Sequence, residues 1–192
     1  MSRKITACLS FMLFMWLAGL RAQQHGPALR FHSIEQAGLA EGHGAAAGII
    51  QSINGMALNT WFAGIGIGID GYRYRSVPLF LDLRKELGQK RNKWLIYAEA
   101  GYNFPWVHEA GTQYYWNPIM KHEYKYKGKI YADVGAGYAI HCRKYGTFLM
   151  ILGYSRKDFD RIVTTVYPGS ENYVESYSYK FNRLMIKLGW EF

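Results

Sequence analysis

The chain has 192 residues, of which 49% are hydrophobic, 17% aromatic and 19% charged, and its formal net charge is +9. Such an apolar and aromatic composition excludes an intrinsically disordered chain. With two cysteines against 16 tyrosines and 21 glycines, it also excludes a small scaffold held together by several disulfides.

The N-terminus has the three-part layout of a secretory signal peptide. Arg3 and Lys4 form a basic start, residues 5–20 form an apolar run, and Ala22 stands at the predicted cleavage site. The run is shorter than the roughly 20 apolar residues that a membrane-spanning helix needs. An uncleaved anchor helix is the alternative interpretation.

Cleavage after residue 22 would leave one domain, 23–192, of 170 residues. This domain is long enough for a sizeable core. Its net charge would be +6, and Cys142 would be its single cysteine. No internal disulfide is therefore expected in an exported protein, so its stability must come from another source.

From about residue 45 to residue 192, apolar and non-apolar residues alternate between turns rich in Gly, Asn and Lys, which predicts β-strands. In chain order the predicted strands are AAAGIIQSI, LNTWFAGIGIGID, SVPLFLDLRKEL, KWLIYAEAGYNF, KIYADVGAGYAIH, GTFLMILGYSRKDF and NRLMIKLGWEF. The region 28–38 is counted as a first strand because an even total requires it. Otherwise it would be a periplasmic or plugging arm.

The two faces of these strands differ in an unusual way. One face is apolar with aromatic residues near the strand ends, whereas the other carries glycines and charges, which do not suit a water-facing strand surface. The end aromatics are Trp61, Trp94, Tyr102, Phe104, Trp106, Trp190 and Phe192. Apolar residues outside, polar residues inside and aromatic girdles are typical of transmembrane β-barrels. We therefore predict an all-β fold, a closed antiparallel transmembrane barrel of about eight strands.

The lengths of the connections alternate as well. The loops after the second, fourth and sixth strands are short, and long loops are predicted at 105–127 and 161–177. Outer-membrane barrels have short periplasmic turns and long outer loops. Both termini are then expected on the short-turn side.

The signal peptide, the glycine-rich alternating strands and the terminal LMIKLGWEF together resemble small Gram-negative outer-membrane β-barrels of the OmpA/OmpX-like or "porin family" type. The resemblance implies an outer-membrane location and a non-enzymatic structural or surface-interaction role through the two outer loops. Residues Leu184, Ile186, Leu188, Trp190 and Phe192 match the family's assembly signal. The implied partners are outer-membrane lipid, lipopolysaccharide and the insertion machinery, and the expected state is a monomer.

Seven charged residues are predicted to project into the barrel: Asp82, Arg84, Glu99, Asp133, Arg183, Lys187 and Glu191. An eight-stranded barrel is just wide enough for its interior to be filled by side chains. Buried charges must be paired to be tolerated. We expect an ion-pair network that plugs the lumen, and a narrow conduit is the alternative.

Two patterns invite a catalytic or nucleotide-binding interpretation. The GIGIG stretch at 64–68 keeps the period of a strand and has no following helix, so it is not a dinucleotide loop. His32 and Ser33 are adjacent and would point to opposite faces of a strand, which argues against a nucleophile–base pair. A barrel enzyme acting on lipid A, or a soluble lipocalin-like barrel with its apolar face inward, remains an alternative.

The stretch 120–129, MKHEYKYKGK, is basic and interleaved with tyrosine. Export argues against nucleic-acid binding. We expect a solvated loop next to the aromatic girdle, and contact with anionic lipopolysaccharide phosphates is the alternative. His122 and Glu123 alone do not predict a metal site, and no cofactor is expected.

Overall fold

A computed structural model describes residues 28–42, 46–71, 74–88, 91–107, 121–142, 145–166 and 172–192; the predicted signal peptide lies outside these residues. The fold is all-β. Eight strands follow in chain order: β1 Arg30–Glu41, β2 Ala47–Leu58, β3 Trp61–Asp70, β4 Ser76–Leu87, β5 Lys93–Pro105, β6 Lys121–Cys142, β7 Gly146–Val166 and β8 Tyr173–Glu191. No helix in these ranges is long and apolar enough to cross a membrane.

The strands form one closed antiparallel barrel in which each strand pairs with its chain neighbours and β1 pairs with β8. Successive cross-strand partners around the barrel run Arg30, Ala57, Phe62, Arg84, Tyr97, Gly135, Gly153, Met185 and Ala40. One circuit thus returns to β1 ten residues farther along. Such a stagger tilts the strands by roughly 40° from the barrel axis.

The first strand decides whether the ring closes. β1 occupies Arg30–Glu41 and pairs with β2 on one side and with residues 184–191 of β8 on the other. Its backbone groups therefore meet partners along both edges, and no edge strand remains at this seam. The region counted as a first strand in the sequence belongs to the barrel wall.

Glycines allow the narrow interior to be filled by large side chains. A Cβ atom added at Gly66 would lie 2.4 Å from the ring of Phe80, and one added at Gly153 would lie 2.0 Å from the Tyr97 hydroxyl. Real Cβ atoms do not approach other atoms so closely. The glycines on the charged face therefore leave room for neighbouring rings to cross the lumen.

The strands differ greatly in length, and this corrects one prediction. β6, β7 and β8 have 22, 21 and 19 residues, whereas β1 to β5 have 10 to 13. The outer loops predicted at 105–127 and 161–177 are therefore wrong in extent, because β6 already begins at Lys121 and most of the second stretch belongs to β7 and β8. The alternation of Lys with Tyr in 121–127 is the period of a strand, and pairing with β7 continues through it.

Candidate functional site

The centre of the lumen is filled by a network of buried polar side chains around Lys187. The Lys187 ammonium donates to Glu99 at 2.9 Å and to Asp133 at 3.0 Å. Tyr131 donates its hydroxyl to Glu99 at 2.9 Å, and Tyr97 donates to Asp133 at 2.7 Å. Each carboxylate thus binds the Lys187 ammonium and one phenol hydroxyl.

A second cation completes this network from the neighbouring strand. Arg84 Nε and Nη2 donate to the carboxylate of Asp82 at 2.9 to 3.1 Å, and Nη2 also donates to the Gln36 amide oxygen at 3.2 Å. Gln36 donates in turn to Gln51 at 2.6 Å, and Gln51 donates to Glu99 at 3.2 Å. We call these nine residues the central network: Gln36, Gln51, Asp82, Arg84, Tyr97, Glu99, Tyr131, Asp133 and Lys187.

The members of the central network come from six strands and are all at most 5% exposed. Most of them alternate with outward apolar neighbours, although Gln36 and Gln51 stand next to the outward polar residues Glu35 and Ser52, and the strand register brings all nine to one place. Three carboxyl groups meet two cations here, and amides and phenols supply the remaining hydrogen bonds. A buried set of charges persists only when its donors and acceptors are met in this way.

Two of the seven predicted lumen charges lie outside the central network. We call the end of the barrel at which β6, β7 and β8 extend beyond the other strands the long-strand end, and the opposite end the short-turn end. Arg183 is buried nearer the long-strand end, where its Nη1 lies 3.5 Å from the backbone oxygen of Ala40. Glu191 lies at the other end of the lumen, 2.6 Å from Nδ1 of His32. The structure therefore brings together Asp82, Arg84, Glu99, Asp133 and Lys187 and separates the other two from them.

Between the central network and the long-strand end, the lumen contains a buried ion pair. The Lys157 ammonium contacts the carboxylate of Asp70 and donates to the hydroxyl of Ser76 at 2.8 Å. Ser76 also donates to Asp70 at 2.6 Å. Lys157 is 1% exposed, so this charge on β7 is held inside the barrel by partners from two other strands, β3 and β4.

Aromatic rings close this end of the lumen above the ion pair. Tyr74 stacks on Phe159 with ring centroids 5.3 Å apart, and Tyr126 approaches the same two rings at 5.4 and 5.6 Å. Tyr179 lies 6.5 Å from Tyr74. We call Tyr74, Tyr126, Phe159 and Tyr179 the aromatic cap. Phe159 at its centre is 1% exposed.

The short-turn end is built differently, around a cavity of about 420 Å³. Its inner wall is apolar, with Ile34, Phe62, Leu95 and Leu149, and Arg84 of the central network lies at its inner end. Its rim carries charged and imidazole side chains, namely Arg30, His32, Glu86, Lys93, His141 and Glu191. Among them Glu86 contacts Lys93 and lies 3.3 Å from His141.

Several of these polar residues were not singled out from the sequence. Gln36 and Gln51 are neutral and lie on the two strands with the weakest alternation, and Tyr97 and Tyr131 resemble ordinary barrel-filling aromatics. Lys157 lies in a stretch that is apolar on both faces, so its direction was ambiguous. A signal was available only for Asp70, which alternates with outward isoleucines in β3.

Two other sequence expectations concern histidines. His32 faces the cavity, while its neighbour Ser33 lies on the outward face of β1. Within the described ranges no group of three or more His, Cys, Asp or Glu residues could hold a metal ion. The side chain of His122 lies outside the described part of the chain.

The terminal strand directs its predicted assembly residues outward. Leu184, Ile186, Leu188 and Phe192 are 50 to 66% exposed. Trp190 is half-buried, and its indole donates to the backbone oxygen of Tyr145 at 2.8 Å. The amide of Phe192 donates to the backbone oxygen of Ser33 at 2.9 Å, so the last residue takes part in the seam with β1.

Among the comparisons with known proteins, only solved structures give a match. No family model and no curated protein matches the chain. Among solved structures, the chain is similar to the translocator domain of the autotransporter NalP from Neisseria meningitidis. The identity is 11%, the TM-score is 0.27, and the match covers 98% of this chain and 97% of the other. We assign the barrel fold from the strand pairing within this chain and not from this similarity.

Proposed function

We propose that the chain is an integral outer-membrane β-barrel with a closed lumen, and that it acts in envelope structure or surface interaction through its long-strand end. The observation that supports this is that the two faces of the barrel wall are reversed relative to those of a soluble protein. Buried charges fill the inside, and a belt of aliphatic residues covers the outside. The exposed belt residues are Ile50, Ile65, Ile67, Ile69, Leu79, Leu81, Leu83, Ile96, Val134, Met150, Leu152, Leu184, Ile186 and Leu188, each 45 to 66% exposed.

Such a belt fits hydrocarbon as its solvent. Monomeric soluble proteins rarely expose contiguous apolar patches larger than a few hundred Å², and a closed barrel leaves no strand edge unpaired in lipid. The alternative of a soluble lipocalin-like barrel would place these aliphatic residues inside and the charges outside. The observed directions are the reverse.

The aromatic residues and the strand lengths suggest an orientation. Trp61, Trp94 and Phe192 stand at the short-turn end of the belt, and Tyr102 and Phe104 at the other. We infer that the short turns face the periplasm and that β6, β7 and β8 project from the outer surface. We also propose that a signal peptide directs the chain to export and that an assembly machinery recognises the terminal strand and inserts the barrel.

The projecting sheet supports the proposed surface role. In the described chain, β5 pairs with β6 only as far as Ile130, and β1 pairs with β8 only as far as Leu184. Exposed Lys125 and Lys127 lie on the outward face of the projecting part of β6. These cations suit lipopolysaccharide phosphates.

Fractionation of cells tests the placement in the membrane. The protein should stay in the carbonate-washed membrane fraction and show heat-modifiable mobility in gels. Leu81→Arg, in the middle of the belt, should reduce the folded form strongly because a charge would face lipid. Lys125→Ala, outside the belt, is the matched control and should leave it unchanged. Release of the protein by carbonate would refute the proposal.

Deletion of Phe192 tests the assembly signal. Loss of its outward ring and of its amide bond to Ser33 should lower the amount of folded barrel in the membrane. Refolding of the same purified variant into detergent should be affected less, because the seam from Ile34 to Glu41 stays intact. Normal assembly in cells would contradict this role.

Planar bilayers separate a closed barrel from the alternative of a narrow conduit. The central network and the aromatic cap both lie across the lumen, so no steady single-channel current is expected. A lipid A-modifying enzyme, the remaining alternative, would change the acyl pattern in mass spectra of lipid A. We expect the pattern to be the same with and without the protein.

A further inference from the structure

A polar patch interrupts the outward belt halfway along β1 and β2. It consists of Ser33, Glu35, Ser52 and Asn54, which form two facing pairs in the register of these strands, Ser33 with Asn54 and Glu35 with Ser52. The hydroxyl of Ser52 donates to a carboxylate oxygen of Glu35 at 2.7 Å. We call these four residues the outer polar patch.

The outer polar patch lies inside the belt and not at its margin. Along the outward face of β1 it is bracketed by Phe31 and Leu39, which are 65% and 60% exposed. Along β2 it is bracketed by Met56 and Ile50. Apolar side chains therefore separate it from both mouths of the barrel.

The Glu35 carboxylate needs more hydrogen-bond donors than the Ser52 hydroxyl. Ionisable groups that face lipid are costly, and in membrane proteins they are met by other polar groups. The carboxylate of Glu35 has about four acceptor positions, and one hydroxyl fills only one of them. Because the register directs Glu35 away from the lumen, the lumen side chains cannot supply further donors, whereas a partner outside this barrel can.

We propose that the outer polar patch is the contact surface between two copies of this chain in the membrane. The patch is self-complementary, since Glu35 accepts hydrogen bonds and the Asn54 amide and the Ser33 hydroxyl donate them. A two-fold axis parallel to the barrel axis keeps every residue at its own depth in both copies. Glu35 of one barrel then faces the Asn54 of the other, which lies within about one residue step of the same depth.

Small residues beside the patch favour this contact. Ala37 follows Glu35 on the outward face of β1, and outward Gly48 has open space where a Cβ would stand. Small side chains let two membrane proteins approach closely enough to form hydrogen bonds. The proposal rests on the proposed placement in a membrane, and it differs from the monomer that the sequence predicts.

Disulfide cross-linking in membranes tests the contact. Ala37→Cys, made in a Cys142→Ser background, should give a cross-linked dimer on oxidation. Ala98→Cys is the matched control, because Ala98 is also an exposed outward alanine but lies on β5, across the barrel. We expect at least tenfold less dimer from Ala98→Cys. Adding Glu35→Leu to Ala37→Cys should lower its dimer about tenfold, although it makes the belt more apolar.

The outcomes separate this proposal from the proposed function. Equal cross-linking at both positions would indicate random collision and would overturn the contact, as would a dimer that Glu35→Leu leaves unchanged. A product of a mass other than twice the chain would assign the patch to a different protein and would also overturn it. Heat-modifiable mobility of the same samples shows whether the barrel is inserted. An inserted but monomeric protein refutes the pairing alone, whereas a soluble one refutes both proposals.

Discussion

The two ends of the lumen differ, since one is filled by side chains and the other contains a cavity. At the long-strand end, the Lys157–Asp70 ion pair and the aromatic cap leave Phe159 1% exposed. At the short-turn end, a cavity of about 420 Å³ reaches inward as far as Arg84. The central network separates the two. The barrel is therefore filled from its middle to its long-strand end, whereas its described cavity lies toward the short turns.

This difference follows from side-chain size and strand length. The long strands β6, β7 and β8 carry Tyr126, Phe159 and Tyr179 beyond the belt, where the rings meet Tyr74 over the lumen. At the other end all strands stop near the same level, and no ring of the residues that the structure describes spans the opening. Stability should therefore depend most on the central network, then on the aromatic cap, and least on pairs outside the lumen.

Removal of the central cation should have the largest effect. Lys187→Met leaves Glu99 and Asp133 buried without their shared ammonium, and breaking such a buried pair costs about 4 kcal/mol. The midpoint of urea unfolding in micelles, followed by the heat-modifiable gel shift, measures this loss. Lys180→Met, on the exposed face of the same strand, should change stability by less than about 0.5 kcal/mol. Equal effects of the two variants would contradict the ranking.

Opening the long-strand end should have the next largest effect. Phe159→Ala removes the ring at the centre of the aromatic cap, and truncating a buried phenylalanine costs about 3 kcal/mol. The central network stays intact in this variant. Urea unfolding should therefore show the destabilisation, while planar bilayers should still show no steady current. A current in Phe159→Ala would mean that the aromatic cap alone closes the lumen.

Filling the interior at a glycine should have a moderate effect. In Gly153→Ala the new methyl group would collide with the Tyr97 hydroxyl, and overpacking of this kind costs about 2 kcal/mol. The control is Gly48→Ala, at an outward glycine with nothing within 4 Å of the added atom. Its unfolding midpoint should stay the same or rise. A loss in Gly48→Ala as large as in Gly153→Ala would argue against a crowded lumen.

The smallest effect is expected outside the belt, at Asp160 in the projecting part of β7. Lys129 lies 2.7 Å from its carboxylate, and this hydrogen bond lowers the pKa of Asp160 below its usual value. The stabilisation is then full above the ordinary carboxyl pKa and is lost as the pH falls through the lowered one. For so exposed a pair it is less than about 1 kcal/mol. Comparison of wild type with Asp160→Asn at pH 6 and pH 2.5 should show a difference only at pH 6.

Strand period made much of the fold predictable. Alternation in β3 to β6 and β8 predicts which residues face outward, and it predicts the inward direction of Asp82, Glu99 and Lys187. It could not predict which inward charges meet, because that depends on the stagger of eight strands around the ring. Arg183 and Glu191 share a face with Lys187 but end at different depths. Gln36 and Gln51 carry no charge, so they gave no sign of joining the central network.

The extents of β6, β7 and β8 were missed for a different reason. Above the belt both faces of a strand meet water or other side chains, so the apolar and polar alternation weakens although the backbone pairing continues. The polar stretch around Tyr173 was therefore assigned to a loop. The sheet nevertheless continues through these residues, because Thr165 pairs with Tyr173 and Lys121 pairs with Val166.

The seam between β1 and β8 also has a consequence for the order of folding. Every other strand pair joins neighbours in the chain, whereas this one brings Ala40 to Met185. The loop that must close for it is the longest in the barrel, and its entropic cost is the greatest. Hairpins from β1 to β8 can therefore form one after another as an open ribbon. The ring closes in a final step, and that step should limit the folding rate.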